Sequence, residues 1–156
     1  MDFFKIAALI SPLISALLVG LVTYNLKLKT TKFNILYQNR ISAFREIADK
    51  LTKFKNFCNG RIAYFQGNEF SPYYEAHTGT LHYRTEIADI STLNSIFLSK
   101  ESKLSIENLI NSMGMLCSVE LASSKNDKEL NIIGLYEKLL NETEECVETL
   151  YSELNS

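Results

Sequence analysis

The sequence predicts an all-α protein: a single N-terminal transmembrane helix continuous with the first helix of a cytoplasmic up-down four-helix bundle. Three observations carry that expectation. From Ile6 to Leu26 no side chain is charged, and about 21 residues make roughly 31 Å of helix, the thickness of a bilayer's hydrocarbon core. Beyond Lys32 the apolar residues recur at helical rather than strand spacing. Charge is also segregated. Nine basic residues face only Glu46 and Asp49 between Lys27 and Arg61, while two stand against eight acids from Asp127 onward, in a chain whose net charge is −2. The expected division is residues 3–28 as transmembrane helix and 29–156 as cytoplasmic helical bundle.

In lipid the backbone must satisfy its own hydrogen bonds, so the span is expected to be helical. A secretory signal peptide would have an apolar region of roughly 7–15 residues ending at a small-residue cleavage site. The run here is longer and leaves through Thr23-Tyr24-Asn25-Leu26, which predicts an uncleaved anchor. Pro12 removes one backbone donor and should bend the helix. Ser11 and Ser15, and Ala16 and Gly20, are small residues spaced four apart. That spacing lets membrane helices approach closely and marks a candidate face for span association. Lys27, Lys29 and Lys32 outweigh Asp2 and Lys5 on the other flank. The positive-inside bias therefore places the C-terminal domain in the cytoplasm of an inner membrane, with the N-terminus outside. The same lysines are candidates for contact with anionic headgroups.

After the flank, Tyr37, Ile41, Phe44, Ala48, Leu51, Lys55, Cys58, Ile62 and Phe65 keep a 4-3 alternation, widened by Phe33, Ile47, Phe54 and Phe57. A stripe that broad suits a bundle core better than a two-stranded coiled-coil seam. Gly67-Asn68 predicts a left-handed stop, so span and helix should form one helix from about Phe3 to Gln66. Ser71-Pro72 predicts the next cap and first helical residue. Tyr73, Ala76, Thr80, Tyr83, Ile87, Ile90 and Phe97 continue at helical spacing, with a candidate restart at Ser91-Thr92. A third helix should start near Ser99 or Ser102 and carry Ile106, Leu109, Ile110, Met113, Leu116, Cys117 and Leu121 on one face. A fourth should start near Asp127, capped by Asn126, and carry Ile133, Tyr136, Leu140, Val147, Leu150 and Leu154.

In up-down order the first and fourth helices are neighbours. The basic one is then expected to pair with the acidic one, Lys50, Lys53, Lys55 and Arg61 against Glu137, Glu144 and Glu148. Lys55 sits at a core position of the repeat and should bury its stem while its ammonium reaches an acid. Pairs of this kind stabilise little singly but select the neighbour and its orientation.

Catalytic signatures are missing from the sequence: it has no Gly-rich phosphate loop, nucleophile elbow, C-x-x-C or H-E-x-x-H. His77 and His82 are five apart, on different helix faces, and neither completes the Glu-x-x-His of di-iron bundles. Cys58, Cys117 and Cys146 lack metal or disulfide spacing and are expected to be reduced and buried. Catalytic residues, metal ligands and cofactors are accordingly not expected, nor is enzyme activity. A candidate pocket gathers Arg61, Tyr64, Tyr73, Tyr74, His77 and Tyr83 around the first soluble turn; aromatic closure of the core end is the simpler alternative. Nucleic acid is disfavoured as a partner because the domain as a whole is not basic.

In layout, with one N-terminal span, a basic flank and a small helical bundle, the chain resembles small single-pass membrane-anchored accessory and effector proteins of bacterial antiviral defence systems. The first functional expectation is a non-enzymatic module that tethers a cytoplasmic protein, or its own assembly, to the lipid bilayer as a homo-oligomer. The second is a membrane-disrupting, pore-forming effector of abortive infection, and the third an enzyme with a pocket at the aromatic turn.

Overall fold

The computed structural model describes the backbone of residues 3–68, 73, 78–123 and 132–154, and within these the side chains of all but 3–11, 13, 14 and 123. The fold is all-α, with four helices and no strand among the described residues. These are α1 (Phe3–Phe65), α2 (Thr80–Leu93), α3 (Lys100–Ser123) and α4 (Ile132–Leu154), with a 3₁₀ turn at Ser95–Phe97 between α2 and α3. The chain divides into two compact units, Met1–Arg40 and Ile41–Ser156, and α1 contributes to both.

The second unit is a helical bundle whose up-down order can be followed through its side-chain contacts. Glu46 and Lys50 of α1 reach Asn94 and Glu86 of α2, so the two helices are antiparallel. Thr80 and Arg84 near the start of α2 reach Glu120 and the Ile110 carbonyl toward the end of α3. Glu120 also meets Tyr136 early in α4, while Ser102 early in α3 meets Glu153 late in α4. Lys55 and Arg61 of α1 touch Glu144 and Tyr136, which closes the ring. The backbones of α2 and α4 lie close against α3. From α1 the core receives Phe44, Phe54 and Phe57, all buried. The Phe57 ring lies 4.9 Å from Tyr83 and 6.1 Å from Tyr136, so one aromatic side chain joins three helices.

Local chemistry sets the helix ends. Gly67 takes φ +83, which glycine adopts without steric cost. Its N–H donates to Tyr64 and that of Asn68 to Ala63, satisfying two end carbonyls in a Schellman arrangement. The predicted stop is therefore where the helix ends. At the start of α3 the Ser102 N–H donates to Ser99 Oγ at 3.1 Å, an N-cap contact at the first of the two expected starts, Ser99 or Ser102. Glu153 of α4 adds a second cap: Ser99 N–H donates to its Oε1 at 2.9 Å and Ser102 Oγ to its Oε2.

Several expectations need correction. The second helix begins at Thr80 behind an extended Gly79 (φ −119, ψ 167), so Thr78 and Gly79 are outside it. Glycine and threonine have low helix propensity, and no burial compensates there. The Ser71-Pro72 start lies outside the described residues. Ser91 and Thr92 do not restart a helix; their hydroxyls donate back to the Ala88 carbonyl inside α2, which ends at Leu93. The proposed start of the fourth helix at Asp127, with its Asn126 cap, also lies outside the described residues. In α4 the buried line is Tyr136, Leu139, Thr143, Cys146 and Leu150, so Leu140 and Val147 flank the core. In α3, Leu121 is exposed, past the last packed turn. In α1 the core starts at Ala43 and Phe44, and Ile41 is exposed.

In the first unit, α1 carries Pro12 within it. Leu17, Leu18, Val19, Leu21 and Val22 are all more than half exposed. At 100° per residue these five positions span about 200° of the helix, and Ala16, Gly20 and Tyr24, also exposed, occupy the rest. Tyr24, Leu26, Phe33, Ile35 and Leu36 are likewise exposed, and the Phe33 and Tyr37 rings stack 6.1 Å apart. Among the described residues no helix is long and apolar enough to cross a membrane. The uncharged side chains described without a gap run from 15 to 26, about 18 Å of helix.

Candidate functional site

Two places in the bundle concentrate polar or accessible groups. The first is a polar knot at the end of the bundle where α1 and α3 finish. Thr80 Oγ1 donates to Glu120 Oε1 at 2.7 Å, and the Tyr136 hydroxyl donates to the same oxygen. The Tyr136 hydroxyl in turn accepts from Arg61 Nε at 3.3 Å. Each of the four helices thus contributes one side chain. Thr80 and Tyr136 are fully buried. Burial, and then the Glu120 carboxylate, push the Tyr136 hydroxyl well above the ordinary tyrosine range. Burial and the same carboxylate raise the Cys58 thiol as well. The shared hydrogen bonds fasten the four helices to one another at this end.

Of the candidate pocket at the aromatic turn, Arg61, Tyr64, Tyr73 and Tyr83 are among the described residues. The Arg61 guanidinium carbon lies over Tyr64 and Phe65, 5.7 and 5.2 Å from their ring centres. Tyr83 is buried against Phe54 and Phe57. Tyr73 is exposed, and Tyr74 and His77 lie outside the described residues. His82 is exposed, 3.8 Å from Glu86. Among the described residues no group of histidine, cysteine and acidic side chains is placed to hold a metal.

The second place is a groove between α1 and α4. A cavity of about 450 Å³ is lined by Leu51, Thr52, Lys55, Glu144, Val147 and Tyr151 among others. A second, of about 330 Å³, shares Thr52 and Tyr151 and extends to Ile41, Ala48 and Leu154. The floor is apolar and the walls are charged. Lys55 Nζ meets Glu144 Oε1 at 2.6 Å, the cross-helix pairing anticipated for this lysine.

The other basic residues pair elsewhere. Lys50 binds Glu86 of α2 at 2.7 Å, and Lys53 binds Asp49 within α1 at 2.8 Å. Arg61 reaches a phenol rather than an acid. Glu137 and Glu148 stay exposed. The reason is angular: Lys50 and Lys55 lie five residues apart, so one points toward α2 and the other toward α4. The Lys50 ammonium holds the Glu86 carboxyl below its usual range. Glu120 and Glu153, the acids most involved in joining helices, carry no local sequence signal. Each stands among ordinary surface-type residues and becomes a hub only when a neighbouring helix presents hydroxyls to it.

In the first unit, the side chains of Ser15, Ala16 and Gly20 are exposed, and a Cβ built at Gly20 would meet nothing within 4 Å. The side chains of Ile6 and Ser11 lie outside the described residues; Pro12 and Leu26 are exposed. Lys27, Lys29 and Lys32 are exposed. Comparison with protein-family models, with curated proteins and with solved structures gives no match.

Proposed function

We propose that this protein is a membrane-anchored, non-enzymatic interaction module, its leading helix inserted in the inner membrane and its bundle presented to the cytoplasm. The observation that carries the reading is the exposure of uncharged residues all round the helix: Leu17, Leu18, Val19, Leu21 and Val22 over about 200° and Ala16, Gly20 and Tyr24 over the rest. A helix that is apolar on every side is stable when lipid or protein surrounds it. In the sequence the uncharged run continues back to Ile6, ahead of the described side chains, which brings it to the length of a span. Lys27, Lys29 and Lys32 then fit the cytoplasmic headgroup region, with attraction of roughly 1 kcal/mol per cation to anionic lipid. The bundle supports a binding role: its buried Thr80, Ser102 and Tyr136 hydroxyls join helices, and open grooves lie on its surface.

The test is fractionation of cells expressing the full chain. Membrane pelleting that survives carbonate is expected, and Leu18→Arg with Val22→Arg should shift the chain to the supernatant. Wild-type chain recovered in the supernatant without detergent would overturn the reading. Protease should reach the bundle only after the inner membrane is opened; cleavage in intact spheroplasts would reverse the orientation.

A second reading, a membrane-disrupting effector of the antiviral kind, is favoured by one observation. Ala16 and Gly20, four residues apart, present an open small-residue face, and Ser15 is a further exposed small residue on the same helix. Ser15→Leu with Gly20→Leu should abolish growth arrest on overexpression under this reading. Arrest that survives the pair of changes speaks against assembly through that face.

A further inference from the structure

We propose that the α1/α4 groove is a self-association surface, on which a second copy of the chain docks about a two-fold axis parallel to the helices. The two cavities share Thr52 and Tyr151, so they form one groove along α1 from Ile41 to Lys55, about 21 Å long. Leu51, Ala48 and Val147 lie at its base, while Tyr151 is 58% exposed and Ile41 41% exposed at its margin. Large apolar side chains left at a groove margin are typical of a surface that another protein covers.

Charge identifies the occupant. The α1 wall carries Arg45 and Lys55, and the one acid there, Asp49, is held by Lys53 at 2.8 Å. The α4 wall carries Glu144 and Glu148. Each copy is therefore basic on one side of the groove and acidic on the other. A two-fold axis across the helices would set each basic wall on its own image. An axis along the helices sets the α1 wall of each copy over the α4 wall of the other, and both strips become complementary. The contact heights follow from the antiparallel pairing of Lys55 with Glu144, which places Glu148 of one copy near Lys55 of the other.

This axis leaves α1 of both copies running in the same direction, so both leading segments can enter one bilayer from one side. That consequence rests on the proposed membrane anchor; the pairing itself does not. A face of this length is small for a protein interface, so a modest affinity is expected, reinforced where an anchor concentrates the chains.

The test uses full-length chain in detergent micelles, with mass measured by light scattering over a concentration series. Wild type should pass from monomer to dimer as concentration rises. Glu148→Lys, at an exposed position, and Lys55→Glu should each weaken self-association at least about tenfold with helicity unchanged. Mixed together, the two variants should form heterodimers in preference to either homodimer, because one strip regains its complement and the other keeps its native pair. Tyr151→Asp should weaken pairing as the charge reversals do. Monomeric wild type throughout, dimers indifferent to all three changes, or failure of the mixture to pair would each overturn the proposal. So would dimers abolished by Ser15→Leu with Gly20→Leu but untouched by Glu148→Lys. Because the measurement is made in detergent, its outcome is independent of where the chain fractionates in cells.

Discussion

Replacing Tyr136 by phenylalanine isolates the hydroxyl at the centre of the polar knot. The ring stays in place, so its contacts with Phe57 and Phe65, both 6.1 Å between centres, are retained. Two hydrogen bonds are lost, the one donated to Glu120 Oε1 and the one accepted from Arg61 Nε. The site is dry, Tyr136 being 0% exposed, so water cannot fully replace the missing oxygen. Leaving a charged acceptor and a cationic donor each short of one partner costs about 1–3 kcal/mol, and about 2 kcal/mol is expected. For a domain of this size that is roughly 8 °C in melting temperature. The assay is thermal and urea unfolding of the full chain in micelles, followed by circular dichroism and tyrosine fluorescence. A double-mutant cycle with Glu120→Gln should give coupling of about 1 kcal/mol or more. A Tyr136→Phe change below about 0.5 kcal/mol, or strict additivity with Glu120→Gln, would refute the claim that the knot fastens the four helices.

Three further outcomes follow from the packing. Gly114 lies inside α3, where a Cβ would sit 3.4 Å from Arg84 Nε, an ordinary contact. Gly114→Ala should therefore stabilise by about 0.5–1 kcal/mol through helix propensity, and a lower melting temperature would show that Arg84 cannot yield. Glu153→Ala removes the acceptor of Ser99 N–H and Ser102 Oγ and should cost about 1–2 kcal/mol, with faster amide exchange in the first turn of α3; unchanged exchange there would deny it a capping role. Burial raises the Cys58, Cys117 and Cys146 thiols above their usual 9.0. The folded chain thus keeps protons that the unfolded chain sheds: the contribution is complete below about pH 9 and lost as pH rises past it. Unfolding midpoints should fall between pH 8 and pH 10, alkylation should track unfolding at Cys58 and Cys146, and a flat midpoint with rapid native labelling would contradict both.

The legible part of the fold was the part governed by local rules. Gly67 ends α1 because a left-handed turn after a helix suits glycine, and Ser99 caps α3 because its hydroxyl lies where the Ser102 N–H needs an acceptor. The breadth of the apolar stripe from Phe44 to Cys58 announced a bundle, since a face that wide requires more than one neighbour. The break at Thr78-Gly79 was less legible, because helical spacing in the sequence through Tyr73 and Ala76 obscured the weakness of that pair. The charge segregation was read correctly as a property and only partly as geometry. It located one cross-helix pair, Lys55 with Glu144, and misplaced Lys50 and Lys53.

What the sequence by itself determined is therefore the helical class, the order of its packed helices, the end of α1 and the neighbourhood where α3 starts, and an uncharged leading stretch. These depend on periodicity and end chemistry, which act over a few residues. Only the tertiary structure decided which polar groups would meet. Thr80, Glu120 and Tyr136 are separated by as many as 56 residues along the chain, and none is unusual where it stands. They became one knot, and α1 and α4 left an open groove between them, because rotation of each helix about its axis is set by its bulkiest buried side chains. A helix turns by 100° per residue, so that rotation, which no local pattern records, assigns every polar side chain its partner.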